Sequence, residues 1–113
     1  MWVDWKNTLS NLRKAAGVLA EKNPPLVKAY QGLNKSLGEG KALDAKTREL
    51  IALAVAVTTR CDGCISSHSA AARQAGATAE EVAEALGTAI ALNAGAAYVY
   101  SARAMEAFNQ FGE

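Results

Sequence analysis

Apolar residues recur every three or four positions through most of the chain, and this spacing constrains the fold more than any other feature of the sequence. It places them along one side of an α-helix. Half of the 113 residues are hydrophobic but only 6% are aromatic, and alanine supplies much of the apolar half. Alanine-rich chains without β-branched or aromatic runs favour packed helices over sheets. We therefore predict an all-α fold.

Proline, glycine and capping residues divide the chain into about six predicted helices. Asn23-Pro24-Pro25 separates the first helix from the second, which closes at Gly38-Glu39-Gly40. Asp44 caps a third helix that reaches about Thr59. Because its stretch from Leu50 to Val57 is apolar on all sides, we expect neighbouring helices to cover it.

The second half of the chain has similar boundary signals. A fourth helix is predicted over about residues 61–75, with Gly76 in the left-handed position after its end. Thr78-Ala79-Glu80-Glu81 is a capping box that opens a fifth helix. We expect Asn93-Ala94-Gly95 to break or bend this helix before a sixth one that reaches about residues 108–111.

Length and charge exclude several classes of protein. The length corresponds to one domain, over residues 1–113. Twelve basic and eleven acidic residues give a net charge of +1, which argues against binding nucleic acid or a membrane surface through bulk charge. No signal peptide is expected, and the longest apolar run, Leu50 to Val57, is too short to span a bilayer. We expect a cytoplasmic protein with no nucleic-acid or membrane partner.

Both cysteines and the only histidine share one face of the fourth predicted helix. Cys61 and Cys64 are three residues apart, and His68 follows Cys64 by one helical turn. The start of a helix stabilises a thiolate, and two thiols in one turn can close a disulfide. His68 can accept the proton of Cys64, directly or through one water. Two-cysteine peroxide reduction requires a thiolate, a base and a second thiol that forms a disulfide with the oxidised first sulfur.

Glu49 is expected close to His68. If the third and fourth helices form a hairpin that turns near Arg60, Glu49 lies level with about residue 71, on the order of 4–5 Å of helix rise from His68. A carboxylate there would orient the imidazole and hold its proton. The alternative is an ordinary exposed charge beside Lys46 and Arg48.

Other interpretations of these residues remain open at this point. The cysteines could be small packed core residues. With His68 and Glu49 they also offer four metal ligands, although structural zinc usually draws on two separated pairs and the sequence has no second pair. We expect neither a metal nor a cofactor. Tyr98 and Tyr100 are most simply core or subunit-contact residues.

The arrangement of Glu49, Cys61-Asp62-Gly63-Cys64 and His68 resembles the signature of the alkylhydroperoxidase D (AhpD)-like proteins of the carboxymuconolactone decarboxylase family. The core of the resemblance covers residues 44–108. It implies a compact helical domain that assembles into a symmetric homo-oligomer, a trimer or hexamer. It also implies peroxidase activity, with electrons supplied by a dithiol or lipoyl-bearing reductant protein. In the roles that the resemblance implies, Cys64 is the peroxidatic thiol, Cys61 the resolving thiol, and His68 with Glu49 the proton relay.

Gly63 departs from this pattern, because the best-known members carry a histidine just before the second cysteine. The prediction is still a hydroperoxide reductase. Because of Gly63, we expect its proton relay to be simpler or its substrate to be different. One alternative is a non-catalytic redox switch or disulfide-exchange adaptor that uses the same disulfide. Another is a carboxymuconolactone-decarboxylase-type lyase, whose activity would survive the loss of both cysteines.

Overall fold

Five α-helices form the protein, and the computed structural model describes residues 2–112. The helices are α1 (Trp5–Lys22), α2 (Pro24–Leu37), α3 (Ala45–Thr59), α4 (Asp62–Gln74) and α5 (Ala79–Phe111). No β-strand occurs within residues 2–112. The predicted all-α class is confirmed.

The predicted capping residues set most of the helix boundaries. At the start of α3, the Asp44 carboxylate accepts a hydrogen bond of 2.8 Å from the backbone N–H of Thr47. Thr78 and Glu81 form the expected capping box at the start of α5, with hydrogen bonds of 3.1 and 2.9 Å. Gly76 follows α4 in the left-handed conformation, at a φ of 86°.

The expected break at Asn93-Ala94-Gly95 is wrong, because α5 continues through all three residues. Asn93 does not compete with the helix, since its side-chain amide donates to the Ala89 carbonyl oxygen, 2.7 Å away, one turn earlier. The same nitrogen lies 2.9 Å from Oγ1 of Thr58 and so joins α5 to α3. A glycine within a helix costs only about 1 kcal/mol relative to alanine, which tertiary contacts override. Residues 2–112 therefore form five helices rather than six.

The central helix is α3, which packs against both α4 and α5. Outside this group, α1 packs on α4, and α2 packs on α1. Leu53 and Ala56 of α3 are buried, as expected. Ile51 and Val55, however, are 49% and 56% exposed, so neighbouring helices cover only one side of Leu50–Val57. The side that carries Ile51 and Val55 remains largely open in the single chain.

A second apolar surface runs along the outer part of α5. Every residue from Ile90 to Gly112 is exposed, including Tyr98 at 82% and Tyr100 at 66%. These tyrosines are therefore not core residues of the single chain. The radius of gyration is 18.6 Å, whereas a compact chain of this length would have about 13 Å. The protein thus exposes far more apolar surface than a self-contained domain does.

By length and hydropathy alone, α5 also qualifies as a helix that could cross a membrane. One such helix is weak evidence, because a packed helix of a water-soluble protein meets the same criterion. Its first turn carries Glu80 and Glu81, and Arg103 and Glu106 lie near its other end.

Candidate functional site

The two cysteines lie where the chain turns back from α3 into α4. Arg60 makes this turn in the left-handed conformation, at φ 54° and ψ 50°, and the N–H of Cys61 donates to the Ala56 carbonyl oxygen. Cys61 then occupies the N-cap position of α4, where its Sγ accepts a hydrogen bond of 3.1 Å from the N–H of Cys64. The predicted hairpin near Arg60 therefore places the sulfur pair at a helix N-terminus.

Cys61 and Cys64 form a disulfide, with their Cα atoms 5.2 Å apart. This separation is within the usual range for disulfides. Both residues are partly buried rather than enclosed in the core. The two sulfurs are thus within bonding reach of each other and accessible from outside, as a redox pair must be.

His68 of α4 and Glu49 of α3 contact each other across the two helices. Nδ1 of His68 lies 2.7 Å from Oε2 of Glu49, and the side chains are 35% and 24% exposed. Glu49 is therefore the partner of an imidazole and not an ordinary surface charge. With Nδ1 engaged, Nε2 is the ring nitrogen that can exchange a proton with another group.

Cys64 and His68 both line a cleft of about 410 Å³ that is mostly apolar. We call it the apolar cleft; its other walls include Leu37, Leu43, Ile51 and Val55, from α2, the α2–α3 connection and α3. The two exposed residues of α3 are thus walls of this cleft. Cys61 does not line it, so the two sulfurs differ in their access to a ligand bound there.

A second cleft, of about 450 Å³, also borders His68. We call it the polar cleft, because it is bordered by Glu49 and, among others, by Lys35, Arg48 and Ser67. His68 borders both clefts, whereas Cys64 borders only the apolar one and Glu49 only the polar one. Of these three residues, His68 is therefore the one that both clefts share.

Gly63 packs against Leu12 of α1. A Cβ atom at Gly63 would lie 3.1 Å from Cδ2 of Leu12, closer than side chains normally approach. A histidine at this position would therefore require Leu12 to move. Glycine thus replaces histidine at the point where α1 packs over the first turn of α4.

The sequence does not indicate that Leu12, Leu37 or Leu43 lies near the site. Their apolar character predicted helix packing, but nothing in the sequence indicated which of them would lie near the cysteines. Arg48 was noted only as a charge beside Glu49. Arg48 precedes Ala52 by four residues, so both lie on the side of α3 that lines the cleft. This spacing is the signal that could have placed Arg48 at the site.

The four possible ligands do not form a metal site in this structure. Within residues 2–112, no three histidine, cysteine, aspartate or glutamate side chains are grouped closely enough to hold a metal ion. The two sulfurs are bonded to each other, and Glu49 is paired with His68. The open alternative of a Cys–His–Glu metal centre therefore lacks the required arrangement.

Comparison with families of known proteins agrees with this geometry. The family model described as "Carboxymuconolactone decarboxylase family" matches residues 24–107, which is most of the chain. The chain belongs to the carboxymuconolactone decarboxylase family. The match begins in α2 and ends near the end of α5, so it includes both cysteines, His68 and Glu49. The resemblance stated from these residues is thereby confirmed.

Two relatives cover nearly all of this carboxymuconolactone decarboxylase family chain. An uncharacterized protein of Haemophilus influenzae is 59% identical over 109 residues, covering 96% of both chains. An uncharacterized protein of Cupriavidus necator is 33% identical over 109 residues, again covering 96% of both.

Two solved structures resemble the fold. The crystal structure of the apo form of a carboxymuconolactone decarboxylase family protein from Legionella pneumophila has a TM-score of 0.75 and 34% identity. The match covers 96% of this chain and 97% of that one. A protein from Methanobacterium thermoautotrophicum has a TM-score of 0.70 and 28% identity, over 75% of this chain and 96% of that one. The helical arrangement is thus the one found in this family.

Proposed function

We propose that the protein is a thiol-dependent peroxidase that reduces organic hydroperoxides through Cys61 and Cys64. The observation that carries this proposal is the shared cleft: Cys64 and His68 line the same apolar cavity, while Glu49 holds the other side of the imidazole. A sulfur nucleophile, a base and a group that orients the base are the parts that such a reaction needs.

In the first step, His68 takes the proton of the Cys64 thiol, and Glu49 stabilises the resulting imidazolium through Nδ1. The thiolate then attacks the terminal oxygen of the hydroperoxide. A sulfur–oxygen bond forms, the oxygen–oxygen bond breaks, and the departing alkoxide takes the proton from His68. The products are an alcohol and a sulfenic acid on Cys64.

In the second step, the thiol of Cys61 attacks the sulfur of the sulfenic acid. A disulfide forms and water leaves, which gives the oxidised state that the structure describes. An external dithiol, such as a lipoyl-bearing reductant protein, then returns the pair to two thiols and is itself oxidised to a disulfide. The protein requires no metal or organic cofactor in this scheme.

The lining of the apolar cleft favours Cys64 over Cys61 as the thiol that meets the peroxide, because Cys64 lines it and Cys61 does not. The apolar walls of the cleft also favour hydroperoxides with a hydrocarbon portion, because they would bury that portion away from water.

The test is consumption of cumene hydroperoxide with dihydrolipoamide or dithiothreitol as reductant. Turnover should be lost in both Cys61→Ser and Cys64→Ser, and only Cys61→Ser should accumulate a sulfenic acid that dimedone traps. A disulfide that forms without turnover would instead indicate a redox switch or exchange adaptor. Activity on a lactone substrate that survives both substitutions would indicate a lyase.

We further propose that copies of the chain assemble into a symmetric homo-oligomer, a trimer or hexamer. The exposed apolar length of α5 supports this, because no other part of the chain covers it within residues 2–112. Sedimentation equilibrium gives the mass directly. We also place the protein in the cytoplasm, since a thiol pair that must be reduced in every cycle needs a reducing compartment.

A further inference from the structure

Arg48 brings a positive charge to both clefts, and within residues 2–112 it forms no salt bridge. Its side chain borders the apolar cleft and the polar cleft. Nη1 donates a hydrogen bond to the carbonyl oxygen of Leu43. Within residues 2–112, no carboxylate lies within ion-pair distance of Arg48. A guanidinium has five N–H donors, so most of them are left for a ligand.

The two carboxylates nearest to Arg48 in the sequence have other partners. Asp44 accepts the hydrogen bond from the Thr47 N–H at the start of α3. Glu49 lies 2.7 Å from His68. The positive charge of Arg48 is therefore not cancelled by a local salt bridge, and Lys35 adds a second cation at the polar cleft.

Arg48 and Cys64 lie toward opposite ends of the apolar cleft. Because α3 and α4 form a hairpin that turns at Arg60, Cys64 is level with about Ala56 on α3. Arg48 precedes Ala56 by eight residues, which corresponds to about 12 Å along the helix axis. Between these two levels, Ile51 and Val55 supply exposed apolar wall.

Along its length the cleft therefore presents, in order, the cation of Arg48, an apolar wall and the sulfur of Cys64. Its volume of about 410 Å³ lies within the range of small-molecule sites, about 300–1,000 Å³. Arginine binds carboxylates through two parallel hydrogen bonds, which fixes the orientation of the ligand as well as its charge.

We propose that the apolar cleft selects amphipathic carboxylates, and that Arg48 binds the carboxylate of a hydroperoxide whose peroxide group lies over Cys64. The hydrocarbon chain between the two groups lies along Ile51 and Val55. Only the peroxide part of this statement rests on the proposed function. Recognition of the carboxylate is a binding property that needs no turnover. Arg48 is thus a residue that determines specificity.

The binding test uses the full-length oxidised protein, whose disulfide does not react with the probes. Octanoate and octanamide are nearly equal in size and differ in charge, and each is titrated while the methyl signals of Ile51 and Val55 are followed by NMR. Octanoate should bind about 2- to 5-fold more tightly than octanamide, as expected for a partly exposed charged pair. Arg48→Gln should abolish this preference and leave octanamide binding unchanged. Arg73→Gln, which removes an exposed arginine of α4 outside both clefts, is the matched control.

Equal affinities for octanoate and octanamide in the unaltered protein would overturn the proposal. So would an Arg48→Gln variant that loses both ligands equally, because Arg48 would then only hold the shape of the cleft through Leu43.

A kinetic comparison separates this proposal from the peroxidase activity itself. For a fatty-acid hydroperoxide and its methyl ester, Arg48→Gln should raise the KM of the acid about 2- to 5-fold and raise the KM of the ester less. Preference for octanoate without any peroxide turnover would overturn the proposed function alone. Turnover that does not distinguish acid from ester in any variant would overturn the role of Arg48 alone.

Discussion

Nδ1 of His68 and Oε2 of Glu49 lie 2.7 Å apart, although nineteen residues separate the two in the sequence. The contact exists because the left-handed Arg60 turns α4 back along α3. It fixes which ring nitrogen is engaged and which one can exchange a proton. In the proposed reaction, Glu49 thus acts on the sulfur only through His68 and is a positioning residue.

Replacing either member of the pair should slow peroxide reduction. We expect His68→Gln to lower kcat/KM about 100-fold or more, as for the loss of a general base. Glu49→Gln keeps the shape and removes the charge, so we expect a smaller loss, about 10-fold.

The double variant provides the decisive comparison. Because Glu49 acts through His68, adding Glu49→Gln to His68→Gln should cost almost nothing more. Losses that add fully would show that Glu49 acts independently of the imidazole. Ser69→Ala, on the exposed side of α4, serves as the control and should leave the rate unchanged.

Introducing the histidine that other family members carry should disturb the contact between α1 and α4. Since even a Cβ atom at Gly63 would lie 3.1 Å from Leu12, we expect Gly63→His to lower the free energy of unfolding by about 1–3 kcal/mol. In a Leu12→Ala background the same substitution should cost clearly less. Urea unfolding of the oxidised protein at fixed concentration measures both. An equal cost in the two backgrounds would show that Leu12 is not the obstacle.

The ion pair between Lys46 of α3 and Glu81 of α5 should make the free energy of unfolding depend on pH in the acidic range. The two side chains lie 2.8 Å apart, and the hydrogen bond that Lys46 donates, followed by the one that the backbone N–H of Thr78 donates, lowers the pKa of Glu81. A carboxylate whose pKa is lowered by folding stabilises the protein above its ordinary pKa. That contribution is lost as the pH falls through the lowered value.

We therefore expect the free energy of unfolding to decrease as the pH falls below about 4.5, near the ordinary pKa of glutamate. Glu81→Gln should reduce this decrease, whereas Glu80→Gln, outside the ion pair, should not. Thermal unfolding between pH 3 and pH 7 measures the effect. A Glu81→Gln variant with an unchanged pH profile would contradict the assignment.

Charges placed on the outer part of α5 should dissociate the proposed oligomer. Tyr98 and Phe108 are 82% and 73% exposed in the single chain, so replacing them does not create a cavity in its core. Tyr98→Glu with Phe108→Glu should lower the mass measured by sedimentation and lower the thermal midpoint. Lys14→Glu, on exposed α1, is the control. An unaltered protein that sediments as a monomer at all concentrations would exclude the oligomer.

Much of the fold follows from local signals in the sequence. The caps at Asp44 and Thr78 and the left-handed Gly76 are short-range features, because each depends on residues within one turn. The contact between Glu49 and His68 could also be predicted, since helix rise and one turn position determine it. That residues 1–113 form one domain stays a prediction.

Other features depend on contacts that a single sequence does not specify. The apparent break at Asn93 fails because its side chain bonds to Ala89 and to Thr58 of another helix. The approach of Leu12 to Gly63 likewise depends on where α1 packs, which its apolar stripe alone does not determine. At Asn93, tertiary contacts override the local tendency to break the helix. At Gly63, local propensity does not specify which residue packs there.

The position of His68 between two clefts of unlike polarity has a consequence for solvation. A ligand that fills the space over Cys64 shields the sulfur from water, but it leaves the Glu49 side of the imidazole ring facing the second opening. In the proposed reaction, water would therefore be excluded from the sulfur at one opening while the imidazole keeps contact with water at another.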